Sequence, residues 1–108
     1  MSRIERKQAV TAAEAIRMFI RSSGLLPAHN VRRVFLAWDE ASGAAAYTQR
    51  KFFRDGKLYV TMSSSVVRGQ LSFQKQGLLE KVNEILASDE LFIPEGQRDG
   101  WVKELILR

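Results

Sequence analysis

Apolar and polar positions along this chain change period several times, and each period predicts an element. Leu58, Val60 and Met62 alternate with Tyr59, Thr61 and Ser63, the two-residue period of a half-buried strand. Asp55-Gly56 precedes them, and a two-residue type I′ turn needs φ > 0 at both central residues, which Gly adopts without steric cost. The turn fixes a hairpin register in which Phe53 faces Leu58, Phe52 faces Tyr59, Lys51 faces Val60 and Arg50 faces Thr61.

Before the hairpin the period is helical. Thr11 to Glu14 has the spacing of a capping box. It opens a helix to about Ser22 with an apolar stripe of Ala12, Ala15, Ile16, Phe19 and Ile20, ended by Ser23-Gly24. Val31, Val34, Phe35 and Trp38 share one face of a second helix, expected to start near Ala28 to Asn30 and to stop at Gly43. Arg32 and Arg33 near its start and Asp39 and Glu40 near its end oppose the helix dipole, a small local cost. After the hairpin, Val67, Leu71, Leu78, Val82 and Ile85 predict one long helix from about Ser65 to Ala87, capped by one of Ser63, Ser64 or Ser65. Gly69 and Gly77 within it mark a kink or a close approach. Residues 88–100 read as a loop, and Val102, Leu105 and Leu107 as a final strand whose alternation is off by one.

The expected fold is therefore α+β, in the order α-α-β-β-α-β. A hairpin, a helical crossover and a last strand make a small three-stranded mixed sheet with helices on one face, leaving the other partly open. The chain has 108 residues, enough for one domain with a modest core. Residues 1–10, with Arg3, Arg6 and Lys7 against Glu5, read as a basic N-terminal arm, and 11–108 as the domain.

Charge adds a direction. Residues 1–75 balance at +8 and residues 76–108 at −3, giving the net +5. Such asymmetry steers polyanions toward one side. The hairpin interleaves Arg50, Lys51, Arg54 and Lys57 with Phe52, Phe53 and Tyr59, a pattern suited to nucleic acid or an acidic protein surface. Neighbouring strand residues point to opposite faces, so Phe52 and Phe53 cannot both enter the core. An exposed Phe52–Tyr59 pair beside Arg50 would be a stacking platform; a covering helix is the alternative. Arg32, Arg33 and Arg68 extend the candidate nucleic-acid-binding set, and Trp38, Phe52 and Tyr59 are candidate partner contacts.

Catalysis is not expected. A nucleophilic serine needs a positioned base and an orienting acid, and the single histidine, His29, precedes the second helix rather than accompanying Ser63 to Ser65. The chain has no cysteine, its acids do not cluster at metal-site spacing, and Gly69 and Gly77 fit no phosphate loop. No metal or cofactor is expected. No apolar run reaches membrane-spanning length and the first residues lack a signal-peptide core, so the expected location is cytoplasmic.

The Trp38 to Gly43 helix end, the FFRDGKLYVTMSSS hairpin, the VVRGQL segment and the LLEKVNEIL helix together resemble the DciA-like family, especially its short single-domain members in Bacteroidetes. The resemblance runs from about Gly24 to Leu86 and includes Trp38 and Gly43 in a Trp-x-x-x-x-Gly arrangement, with Asp55-Gly56, Leu58, Val60, Ser64 and Leu71. It implies a KH-like core, a DnaB-type replicative helicase as partner, contact with single-stranded or tailed DNA, and no ATPase activity. No Gly-x-x-Gly loop joins two helices, so the backbone clamp of a true KH domain is not predicted. The alternatives are an independent KH-like module for RNA or single-stranded DNA without a helicase partner, and a dimerisation domain.

Overall fold

The structure is a computed structural model that describes residues 11–94 and 101–108. The basic arm expected at 1–10 and part of the 88–100 loop lie outside the described residues. The elements are α1 (Ala12–Ser23), α2 (Leu26–Ser42), a 3-10 turn (Ala45–Tyr47), β1 (Thr48–Arg54), β2 (Lys57–Met62), α3 (Ser65–Ser72), α4 (Lys75–Ala87) and β3 (Glu104–Leu107). β2 is the central strand, antiparallel to β1 and parallel to β3. A parallel neighbour needs a crossover, and α3 and α4 supply it. The fold is a small α+β domain with a mixed sheet, as the periodicity predicts.

The hairpin register is the expected one at every pair from Arg50↔Thr61 to Phe53↔Leu58. Asp55 (φ 53°) and Gly56 (φ 78°) both take the left-handed conformation of the turn. A register shift between Thr48 and Arg50 marks an irregularity at the start of β1.

Alternation sends Leu58, Val60, Met62 and Leu105 inward, where Val34, Ala37, Trp38 and Ala41 of α2 and Leu78, Val82 and Leu86 of α4 cover them. Trp38 is fully buried, and its indole N–H donates to Thr48 Oγ1 at 3.1 Å. That bond satisfies the one polar group the indole carries into the core.

Three expectations change. The long helix is two helices, and the break lies at Phe73-Gln74, at neither glycine. Leu71 and Leu78 are buried, but residues 72–77 are all exposed, so no packing force holds a continuous helix across them. A Cβ at Gly69 or Gly77 would meet nothing within 4 Å, so neither marks a close approach. Secondly, α2 begins at Leu26, before the expected start, with Pro27 in its first turn where a missing N–H costs nothing. Thirdly, Ile20 is the one buried side chain of α1, packed with Leu26 and Ile93. Ile16 and Phe19 of the expected stripe are exposed, because α1 rests on its neighbours along only one flank. The caps agree with expectation: Thr11 Oγ1 accepts from Glu14 N–H, Ser64 Oγ accepts from Val67 N–H, and Gly24 and Gly43 end their helices in the left-handed conformation.

Two asparagines hold the connection between α4 and β3. Asn30 donates to Ile93 C=O at 2.6 Å and accepts from Ile93 N–H at 3.0 Å. Asn83 does the same for Val102, at 2.8 and 3.1 Å. A side-chain amide carries both a donor and an acceptor in one plane, so each acts as a substitute strand for a backbone that has none. Arg17 donates to Glu90 C=O and His29 bonds Leu91 C=O, adding to the same attachment.

Candidate nucleic-acid interface

Inward burial of Leu58, Val60 and Leu105 decides what the sheet shows on its other side. Pairing places Arg50 opposite Thr61, Phe52 opposite Tyr59, and Arg54 opposite Lys57. β3 aligns Glu104 with Lys57 and Ile106 with Tyr59, and Arg108 N–H bonds Val60 C=O, which seats Arg108 beside Thr61. The outward face thus carries Arg50, Arg54, Lys57 and Arg108 against one acid, Glu104. It surrounds an aromatic pair.

Phe52 and Tyr59 have ring centroids 5.8 Å apart and planes tilted by 42°. Phe52 is 46% exposed, so the expected alternative of a covering helix does not hold for it. The Arg108 guanidinium lies 4.7 Å from the Tyr59 ring centroid, a cation–π contact that holds a long side chain on the face. Arg50, Phe52, Tyr59, Thr61 and Arg108 line a hollow of about 210 Å³.

The other candidates fall elsewhere. Lys51 points away from this face; its Nζ donates to both Asp39 carboxylate oxygens, at 3.0 and 2.9 Å, and lies 5.5 Å from the Phe35 ring centroid. Arg33 pairs with Asp89 at 2.6 Å. These two ion pairs tie α2 to β1 and to the segment after α4. They also give tertiary partners to charges that oppose the α2 dipole. Arg32 is exposed on α2 and Arg68 on α3, neither on a sheet strand. Trp38 is a correction: with no exposed surface it has nothing to offer a partner. Phe53 turns inward against the core.

Arg108 and Ile106 were missing from the sequence-based candidates. Their signal was the alternation of Glu104, Ile106 and Arg108 against Leu105 and Leu107, obscured because Val102 precedes β3 and is buried through the Asn83 clamp.

A larger hollow of about 490 Å³ lies between α2 and α4, lined by Arg33, Glu40, Lys81, Glu84 and Asp89 with Leu36 and Ile85. It mixes both signs: with Arg33 and Asp89 paired to each other, Lys81 faces Glu40 and Glu84, and the slight negative excess does not favour a polyanion. Among the described residues no three His, Asp or Glu converge as a metal site, and no helix is long and apolar enough to cross a membrane.

Comparison with known proteins agrees with the pattern of residues. Residues 11–91 match the family described as Dna[CI] antecedent, DciA. The match covers well over half of the chain, which therefore belongs to that family. No curated protein and no solved structure matches it.

Proposed function

We propose that this DciA-family chain is a non-enzymatic DNA-replication accessory protein. It binds the replicative helicase of the DnaB type, assists its loading, and contacts DNA through the outward face of its sheet. The observation that carries the helicase part is the family match over residues 11–91. The DNA part rests on four outward cations, Arg50, Arg54, Lys57 and Arg108, on a face with one acid. Phosphate contacts draw on charges without ion-pair partners in the fold, and Arg50, Lys57 and Arg108 make no salt bridge among the described residues. Arg32 and Arg68 extend the basic surface on the helices, and Lys51 and Arg33 act within the fold.

The proposed mechanism has two separable contacts. A phosphate-binding face supplies fast, salt-sensitive attachment to DNA. A protein contact supplies recognition of the helicase and is less salt-sensitive. The test is binding of the purified chain to the replicative helicase of the same organism at moderate and at high salt. Salt-resistant binding is the expected result. Absence of helicase binding at both salts, with nucleic acid still bound at low salt, supports instead an independent nucleic-acid-binding module, which the open aromatic and basic face favours.

A further inference from the structure

Phe73 is the most exposed large apolar side chain among the described residues, at 94%. It stands at the end of α3, where the chain breaks before α4, and the fold covers almost none of its ring. Val66, in the first turn of α3, is 69% exposed. Val66, Gly69, Gln70 and Phe73 fall at i, i+3, i+4 and i+7, the spacing of one helix face, and Phe73 keeps helical backbone as the last residue of that run. Leu71 meets the core from the other side of α3. Between the two apolar side chains, a Cβ at Gly69 would meet nothing within 4 Å, so the helix surface there is bare. Two apolar ridges with a gap between them suit a second helix, whose side chains enter the gap as its backbone comes close.

Charge decides what that second helix carries. No Asp or Glu occurs from residue 56 to residue 79. Arg68, beside Gly69, and Lys75, two residues past Phe73, are exposed and make no salt bridge among the described residues. A second copy of this chain, docked about a two-fold axis, would set these cations against their own copies. The exposed apolar side chains of α1, Ile16, Met18 and Phe19, sit instead among Glu14, Arg17 and Arg21, whose mixed signs select no partner. A strand does not suit the α3 face either. A helix offers no unpaired sheet edge, so the docking segment must satisfy its own backbone hydrogen bonds, as an amphipathic helix does.

We propose that the α3 face formed by Val66, Gly69 and Phe73 docks an acidic amphipathic helix of the protein partner, with Arg68 and Lys75 pairing with its carboxylates. This rests on the reading that the chain binds the replicative helicase, and it names where on this chain the contact lies and which chemistry it takes. Phe73 is the anchor, buried only in the complex, and the two cations at the rim steer encounter and fix orientation. Leu71 packs on the inward side of the sheet, which places α3 in the helical layer. Docking there leaves the outward face of the sheet open.

The test measures binding of the purified chain to the replicative helicase of the same organism, at moderate and at high salt. It compares wild type with Phe73→Ala, Gly69→Gln, Arg68→Glu/Lys75→Glu and Phe19→Ala, each checked for folding by thermal unfolding. Phe73→Ala is expected to weaken binding roughly ten- to a hundredfold, the range for burying one large apolar side chain. Gly69→Gln is expected to weaken binding while stabilising the isolated chain, opposite signs that a purely structural role does not give. The charge reversal is expected to weaken binding at moderate salt and to matter less at high salt. Phe19→Ala is expected to bind as wild type does. A benzophenone side chain in place of Phe73 is expected to cross-link to an acidic helical segment of the helicase. Wild-type affinity in both Phe73→Ala and Gly69→Gln overturns the docking face and leaves the helicase reading standing. Loss in Phe19→Ala instead overturns it in favour of α1, and a cross-link to a segment without acids overturns the charge match. An equal loss of oligonucleotide binding in Phe73→Ala overturns it in favour of a nucleic-acid contact. No helicase bound by wild type at either salt overturns it together with the helicase half of the proposed function.

Discussion

The same three strands make two faces that follow different rules. On the inward face Leu58, Val60 and Leu105 are sealed by α2 and α4, and even the one cation there, Lys51, is bound by Asp39 at two oxygens. On the outward face Arg50, Lys57 and Arg108 make no salt bridge among the described residues, Arg54 pairs only with Asp55 of the turn, and Phe52 is half exposed. Phe52 and Phe53 are adjacent in sequence, yet one is a surface feature and the other packs on the core. The difference is a consequence of the two-residue period, with no difference in chemistry between the neighbours. Residue type alone therefore does not say which face a side chain joins; strand parity does.

Substitutions that ignore parity break this contrast most strongly in the core. Trp38→Ala removes a fully buried indole and leaves Thr48 Oγ1 without its donor; it is expected to cost about 3–5 kcal/mol in urea unfolding. Phe52→Ala on the outward face should cost no more than about 1 kcal/mol in the same measurement, the loss of its cross-strand pair with Tyr59. The clamps come next. Asn83→Leu leaves the N–H and C=O of Val102 unpaired and is expected to cost about 1–3 kcal/mol. Amide exchange should accelerate at Val102 and Leu105 before it does at Leu58. A change confined to the Leu58 amide would mean that Asn83 does not hold β3.

Glycines sharpen the comparison further. Gly56 has φ 78°, and an added Cβ would sit 2.8 Å from Lys103 Cδ. The side chain of Lys103 can yield, but the backbone conformation cannot, so Gly56→Ala is expected to cost about 1–2 kcal/mol. Gly69 lies within α3 with open space around the Cβ position, and Gly69→Ala is expected to stabilise by about 0.5–1 kcal/mol. Thermal unfolding of both variants shows whether the opposite signs hold. The smallest effect separates two adjacent cations. Lys51→Ala should lose up to about 1 kcal/mol of stability with its Asp39 pair and leave the salt dependence of DNA binding unchanged. Arg50→Ala should do the reverse, leaving stability unchanged and lowering the salt slope by about 0.7–0.9.

The hairpin was fully legible because its information is local. Asp55-Gly56 sets the turn, the turn sets the register, and the register sets both faces of β1 and β2. What the sequence hides depends on distant partners. Lys51 and Arg33 look like free cations until Asp39, 12 residues away, and Asp89, 56 residues away, are brought beside them. Asn30 looks like a helix-start residue until Ile93 reaches it. The apolar stripe of α1 promised a full docking face, but amphipathicity records only the capacity for burial, and the fold uses little more than Ile20. The break at Phe73 was hidden for a similar reason. Continuous periodicity at Leu71 and Leu78 says nothing about the six exposed residues between them. Arg108 reaches the outward face only through the parallel pairing of β3 with β2.

A nuclear magnetic resonance titration of the chain with a short single-stranded oligonucleotide, followed through side-chain signals, tests the contrast between the two faces most directly. The account predicts that Arg50, Phe52, Tyr59 and Arg108 shift together while Phe53, Leu58, Val60 and Trp38 stay still. Shifts centred on the hollow between α2 and α4, with Phe52 and Tyr59 unmoved, would contradict it.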